Sequence, residues 1–252
     1  MLKPKKKLGQ NFLINKEIAI RIVNCISSFK QINTIEVGPG EGALTKYLLA
    51  KTKLLKIIEI DKEAVEHLKS RFPEANIVHK DFLTYELNSK NLFKFIIVGN
   101  FPYNISTQIL FKVLENRNRV TELVGMFQKE VAERICSLPN SKKYGIPSVL
   151  LQAFYNCEEL FDVEPKNFRP IPKVNSTVIK LSRKQNCNFD CDYKKFMFVV
   201  KSSFLHRRKK MKNSLKNLTN FDQSSIKNFA NKRAEELTVN NFIQITKVIY
   251  TQ

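Results

Sequence analysis

Apolar positions recur along this chain in two rhythms, and their alternation sets the expected architecture. Ile18, Ile22, Val23 and Ile26 have helical spacing, and Thr34–Val37 is a short strand. Residues 43–50 read as a helix, 54–60 as a strand, and Ala64, Val65 and Leu68 as one helical face. Strands follow at 76–79 and 95–98, then a helix lined by Ile109, Leu110, Val113 and Leu114, then a strand at 122–127. Residues 131–138 and 149–155 look helical, and 177–181 is a late strand. Such βαβα alternation predicts an α/β domain with a mostly parallel sheet covered on both faces.

The rhythm changes near residue 184. Beyond it the apolar spacing is helical only, through Phe196, Val199, Val200 and Phe204 and again through Phe242, Ile245 and Ile249. We therefore expect a catalytic-type domain over residues 1–184 and a small, all-helical domain over 185–252.

Charge sharpens this picture. The chain has 252 residues, a net charge of +20 and 43% hydrophobic residues, so a true core coexists with affinity for a polyanion. Residues 183–252 hold 15 basic and 5 acidic residues, and residues 201–216 hold seven basic residues and no acid. Lys5, Lys6 and Lys7 at one end, and Arg207, Arg208, Lys209 and Lys210 near the other, are candidate contacts to a nucleic-acid backbone. The competing reading is a solvated lysine-rich face. No apolar run reaches bilayer length, so no membrane partner is expected. The basic N-terminus has no apolar stretch after it, which argues against a secretory signal. Five widely spaced cysteines fit reduced thiols in a cytoplasmic protein. Cys187 and Cys191 have no second ligand pair nearby, so no metal is expected.

Glycine is scarce, seven residues in all, so its placement is informative. Glu36-Val-Gly-Pro-Gly-Glu-Gly42 follows a strand and opens a helix. Its Gly-x-Gly-x-Gly spacing departs from the dinucleotide fingerprint. The next strand ends in Glu59-Ile-Asp61, where one carboxylate, Glu59 or Asp61, can accept ribose hydroxyls. Asp81 ends the third strand and can accept from an adenine amine. A glycine loop, a ribose acid and an adenine acid at successive strand ends fit S-adenosyl-L-methionine in the Rossmann-like class I methyltransferase fold.

Asn100-Phe-Pro-Tyr103 follows the apolar run 95–99, where a buried strand would end. The Asn100 side-chain oxygen and the backbone carbonyl of Phe101 or Pro102 can accept the two N–H bonds of an exocyclic amine. Pro102 fixes φ and removes a competing donor. Tyr103 can stack on the base that carries the amine, or it can be a capped core aromatic. Phe168 can close the base's other face, or it can anchor the core before Pro170 and Pro172.

With these segments in view, the chain resembles the ribosomal RNA adenine dimethyltransferase family. The matching stretches are Leu8-Gly-Gln-Asn-Phe-Leu13, residues 36–45, Ile58-Glu-Ile-Asp61, Asn100-Phe-Pro-Tyr-Asn-Ile-Ser106 and Phe127-Gln-Lys-Glu-Val-Ala132. Phe168-Arg-Pro-Ile-Pro-Lys-Val-Asn-Ser176 and residues 204–215 also match. They run nearly end to end, in family order. The resemblance implies an enzyme that uses S-adenosyl-L-methionine to dimethylate N6 of two adjacent adenosines near the 3′ end of small-subunit, 16S-type rRNA. A sister branch methylates large-subunit rRNA and confers macrolide resistance; a third reading is a non-catalytic assembly or transcription factor. By resemblance, Asn11 and Leu13 contact the cofactor, Gly38 and Gly40 lie in its glycine loop, Glu59 holds ribose and Asp81 reads adenine. Asn100 lies beside the methyl donor. Gln10 reads as a residue that caps or orients the N-terminal segment, and the protein is expected to act as a monomer on the small ribosomal subunit. Phe101 stands where the family more often has Leu or Ile, an apolar exchange that should leave the chemistry alone.

Overall fold

The computed structural model describes residues 1–27, 29, 32–87, 94–185, 189–216, 218 and 223–250, so Cys187 lies outside the described residues. The chain divides into two compact units, one of residues 1–132 and 158–183, the other of 133–157 and 184–252.

The first unit begins with the short strand β1 (Phe12–Leu13) and helix α1 (Lys16–Asn24). Asn15 caps α1 by accepting from the backbone N–H of Glu17 and Ile18, which satisfies two of the donors a helix start leaves open. Then follow β2 (Asn33–Val37), α2 (Thr45–Lys51), β3 (Leu55–Glu59), α3 (Lys62–Arg71), β4 (Asn76–His79), β5 (Phe95–Asn100), α4 (Ser106–Glu115) and β6 (Val120–Gln128). Helices α5 (Lys129–Cys136) and α6 (Ile146–Gln152) lead to β7 (Tyr155–Val163), β8 (Phe168–Arg169) and β9 (Ser176–Arg183).

Seven strands form one sheet in the order β4-β3-β2-β5-β6-β9-β7. The five from β4 to β6 pair in parallel, and β9 pairs antiparallel to β6. Order reverses at β2: the chain runs outward to β3 and β4, then crosses to β5 on the other side. This reversal opens a crevice beyond the carboxyl ends of β2 and β5. Both strands are buried nearly throughout, as central parallel strands require. Ile22 and Val23 of α1 and Leu48 of α2 share a core cluster with Ile57, Ile96, Val98 and Val124.

The periodicity located every strand of the sheet except β7. Residues 149–155 were expected to be helical, but α6 stops at Gln152 and Tyr155 starts β7. β7 carries charged and exposed positions along the sheet edge, so it lacks the apolar run that marks a central strand. The two-residue pairing of β1 with β8 is too short to leave a pattern.

The second unit contains α6, α7 (Tyr193–Leu205), α8 (Met211–Ser214) and α9 (Val239–Tyr250). Phe196, Val199, Val200, Phe242, Ile245 and Ile249 are buried, as their spacing predicts. Phe204 stacks on Phe242 with ring centroids 5.9 Å apart. Residues 133–157 belong to this unit, whereas the sequence pattern alone assigned them to the first. Among the described residues no helix is long and apolar enough to cross a membrane, and no three His, Cys, Asp or Glu side chains gather as a metal site.

Candidate active site

A cavity of about 200 Å³ lies beyond the carboxyl ends of β2, β3, β4 and β5. Its walls bring together Asn11, Leu13, Gly38, Gly40, Glu59, Asp81, Asn100, Pro102 and Tyr103. These residues come from five separate stretches of chain, and every one was a candidate from the sequence.

The glycine loop joins β2 to α2. Gly38 and Gly40 have φ of 64° and 57°, the left-handed region that costs other residues strain. A Cβ on Gly40 would also stand 2.7 Å from the Phe12 ring. The Gly40 N–H donates to Glu59 Oε2 at 3.3 Å, and the Asp61 N–H donates to Glu59 Oε1 at 2.9 Å. Glu59 is only 4% exposed. Burial pushes its carboxyl above the usual range, and the backbone donors oppose that rise. Asp81 Oδ1 accepts from the Leu83 N–H at 2.8 Å, a local turn that fixes the carboxylate at the cavity wall.

Glu36, the first residue of the glycine motif, was not singled out from the sequence. It is 1% exposed and lines the cavity. Thr45 Oγ1 donates to its Oε2 at 2.7 Å, while its Oε1 has no hydrogen-bond partner. Burial lifts this carboxyl to about 8.

Asp61, the second candidate for ribose, is committed elsewhere. It caps α3 and accepts from Lys5 Nζ at 2.6 Å and Gln10 Nε2 at 3.1 Å. Partial burial pulls its pKa upward, but these hydrogen bonds outweigh it and hold the carboxyl below its ordinary value. Lys5 also reaches Glu63 at 3.0 Å, and its N–H donates to Gln10 Oε1 at 2.8 Å. Lys5, expected on the RNA backbone, here fastens the N-terminal segment to two carboxylates. Arg207 likewise pairs with Glu235 at 2.6 Å and donates to the Ser141 carbonyl. Lys6, Lys7, Arg208, Lys209 and Lys210 are exposed.

At the end of β5 the Asn100 Nδ2 donates to the Asn11 carbonyl at 2.7 Å. This bond orients the amide and leaves Oδ1 as its acceptor. The Pro102 carbonyl, one of the two carbonyls expected to accept from an amine, already accepts from the Ile105 N–H at 3.2 Å. Tyr103 is half-buried, and its hydroxyl lies 2.6 Å from Ser176 Oγ. Burial raises the Tyr103 phenol and the Ser176 contact partly offsets it.

Phe168 is not brought to the cavity. It is 2% exposed, pairs with Leu13 across β8 and β1, and belongs to the core cluster. The anchoring reading of Phe168 fits this placement, and closure of the base's other face does not. Phe101 is 1% exposed, with its ring 5.1 Å from Phe127. A Cβ at Gly125, opposite Gly99 in the β5–β6 register, would overlap that ring. The larger side chain at 101 thus depends on a glycine one strand away. Gly125 escaped the sequence reading, although a glycine inside a strand is itself a sign of close approach.

A family model described as ribosomal RNA adenine dimethylase matches residues 1–251. The chain belongs to the ribosomal RNA adenine dimethylase family. Ribosomal RNA small subunit methyltransferase A of Flavobacterium johnsoniae is 48% identical over 98% of this chain and 96% of its own. The protein of the same name from Cytophaga hutchinsonii is 46% identical over 98% of each. Among solved structures, a dimethyladenosine transferase from Plasmodium falciparum has a TM-score of 0.82 at 23% identity, covering 93% of this chain and 95% of that one. The 23S rRNA methyltransferase ErmE has a TM-score of 0.75 at 22% identity, covering 95% and 99%. At such identities the two structures establish the class I methyltransferase fold, which both share.

The family's cofactor is S-adenosyl-L-methionine, and the residues present fit it. A loop with glycines at 38 and 40 and the buried carboxyl groups of Glu36 and Glu59, the former with an orphaned oxygen, line one cavity. They match a ligand that carries hydroxyls and an ammonium group.

Proposed function

We propose that this protein dimethylates N6 of two adjacent adenosines near the 3′ end of 16S-type rRNA, acting in the cytoplasm during small-subunit assembly. The observation that carries this reading is the Asn100 amide, held at the β5 end by the Asn11 carbonyl, in the cavity that also holds the glycine loop. The small-subunit target rests on relatives of that name at 42–48% identity over nearly the whole chain.

The adenosine N6 lone pair is delocalised into the ring, so the amine is a poor nucleophile. Asn100 Oδ1 and the Phe101 carbonyl accept its two N–H bonds and turn the lone pair out of the ring plane. S-adenosyl-L-methionine, when bound, supplies an electrophilic methyl group on a sulfonium. Orientation of this kind lowers a barrier by roughly 7–11 kcal/mol in favourable cases. Tyr103 offers a ring face to the base, and its bond to Ser176 sets the plane of that ring. Glu59 and Asp81 hold ribose and adenine of the cofactor. The target base must leave its stack to enter. Lys6, Lys7, Arg208, Lys209 and Lys210 contact the RNA backbone, positioning the enzyme without reading sequence.

Methyl transfer from labelled S-adenosyl-L-methionine tests this, offered to unmethylated small subunits and separately to protein-free large-subunit rRNA. The expected product is N6,N6-dimethyladenosine from small subunits alone. Label confined to large-subunit RNA would overturn the target, and no label in either would overturn catalysis.

A further inference from the structure

Residues 170–175 form a loop with an unusual surface. Ile171 is 71% exposed and Val174 43%, and Pro170, Lys173 and Asn175 are also exposed. From Arg169 to Ser176 there is no acidic residue. Two aliphatic side chains so close together form a small apolar surface that a partner would bury favourably.

The loop is bolted to the cavity at both ends. At its start, Arg169 and Phe168 pair with Phe12 and Leu13, which line the cavity. Arg169 Nη2 also donates to Glu41 Oε1 at 2.7 Å and to the Leu2 carbonyl. At its end, the Asn175 carbonyl accepts from the Lys129 N–H at 2.9 Å, and Ser176 holds Tyr103. Between these clamps, Pro170 and Pro172 fix φ on either side of Ile171. The side chain is thus presented in a set place on a loop whose two ends are held by cavity-lining residues, with little ordering entropy left to lose on contact.

We propose that Ile171 is a wedge that packs against the nucleobase next to the adenosine in the cavity, with Lys173 on the adjoining phosphate. This rests on the rRNA reading above. When a base leaves its stack, its neighbour loses a stacking partner, and apolar side chains take that place in other nucleic-acid complexes. With two adjacent target adenosines, the neighbour is the second substrate, so Ile171 holds the base that waits. Lys173 is exposed, and no acid lies between Arg169 and Ser176, which suits a polyanion.

The test pairs two readouts on the full chain. Fluorescence anisotropy follows a fluorescein-labelled single-stranded RNA with two adjacent adenosines; methyl transfer uses unmethylated small subunits. Ile171→Ser should weaken RNA binding by roughly 5- to 10-fold, the low part of the range for loss of one stacking contact. It should raise KM for subunits in proportion, with kcat, S-adenosyl-L-methionine affinity and thermal midpoint at wild-type values. Ile171→Leu should restore binding. Leu54→Ser should change neither readout, because Leu54 is 45% exposed but precedes β3 at the opposite end of the sheet. RNA binding by Ile171→Ser within twofold of wild type would overturn the wedge. If wild type binds RNA but methylates no subunit, the proposed reaction falls, and the anisotropy alone still decides the wedge.

Discussion

The two ends of the cavity are built on opposite plans. The cofactor end gathers side chains from three strand ends, at 36–40, 59 and 81; Glu59 accepts from the Gly40 N–H and from Asp61 two residues on, Asp81 from Leu83 two residues on, and Glu36 from Thr45 nine residues on. The amine end is four consecutive residues, Asn100 to Tyr103, yet three of them depend on a distant partner. Asn100 is oriented by Asn11, Tyr103 by Ser176, and Phe101 has room only because residue 125 is glycine. Carboxyl groups gathered from separate stretches are held mostly by their own neighbours in sequence, whereas the compact motif takes its side-chain angles from outside support. The lesson is that contiguity in sequence identifies chemistry, while orientation is supplied by the fold.

Substitutions at the amine end should therefore strike the chemical step and spare cofactor binding. Asn100→Ala should lower kcat the most, by on the order of 100-fold or more, as for loss of one preorganised polar contact in a reacting site. Single-turnover methyl transfer measures it; a kcat within a few-fold of wild type would break the distinction between the ends. Tyr103→Ala should lower kcat/KM by about 5- to 150-fold, the equivalent of one stacked base, with cofactor affinity by calorimetry within twofold of wild type.

Gly125→Ala tests the support directly. The new methyl group must displace the Phe101 ring, so activity should fall by roughly 10-fold and stability by about 1–3 kcal/mol, as for an overpacked core. Adding Phe101→Leu should restore both, because the smaller side chain vacates the space. Equal loss in single and double variants would show that the strand, rather than the ring, is the sensitive part.

At the cofactor end the expected effects are smaller. Lys5→Ala removes the contacts to Asp61 and Glu63 that fasten the N-terminal segment. It should weaken S-adenosyl-L-methionine binding by a few-fold while leaving the salt dependence of RNA binding unchanged. A reduced salt slope instead would return Lys5 to the RNA surface. The smallest effect concerns Glu36, whose burial raises its carboxyl from 4.5 to about 8. A group with a raised folded pKa contributes stability that is fully present below its unfolded value and lost as pH rises through the folded one. Wild type should therefore lose stability between about pH 4.5 and 8, and Glu36→Gln should flatten that slope in thermal melts from pH 5 to 9. Parallel melting curves for the two proteins would contradict the buried ionisation.

What was legible in advance follows the same division. Strand spacing, the glycine motif and the Asn100–Tyr103 run point to the α/β sheet, the loop proposed for the cofactor and the run proposed for the amine, because each is a local pattern with a local cause: pleat, helix period or backbone freedom. β7 stayed hidden because an edge strand buries too little to show an apolar run. Phe168 could be placed at the base or in the core, because an aromatic side chain serves either, and only its pairing with Leu13 decided for the core. Lys5 and Arg207 looked like their exposed basic neighbours until the fold set carboxylates beside them.

The sequence by itself determined which chemical groups this protein owns and the order in which they meet the strand ends. Tertiary structure alone decided which of them face one cavity, which charges are neutralised internally, and how the Asn100 amide and the Tyr103 ring are turned. The reason is range: propensity and periodicity act over a few residues, whereas the contacts from Asn11 to Asn100 and from Tyr103 to Ser176 exist only once the sheet has brought distant segments together.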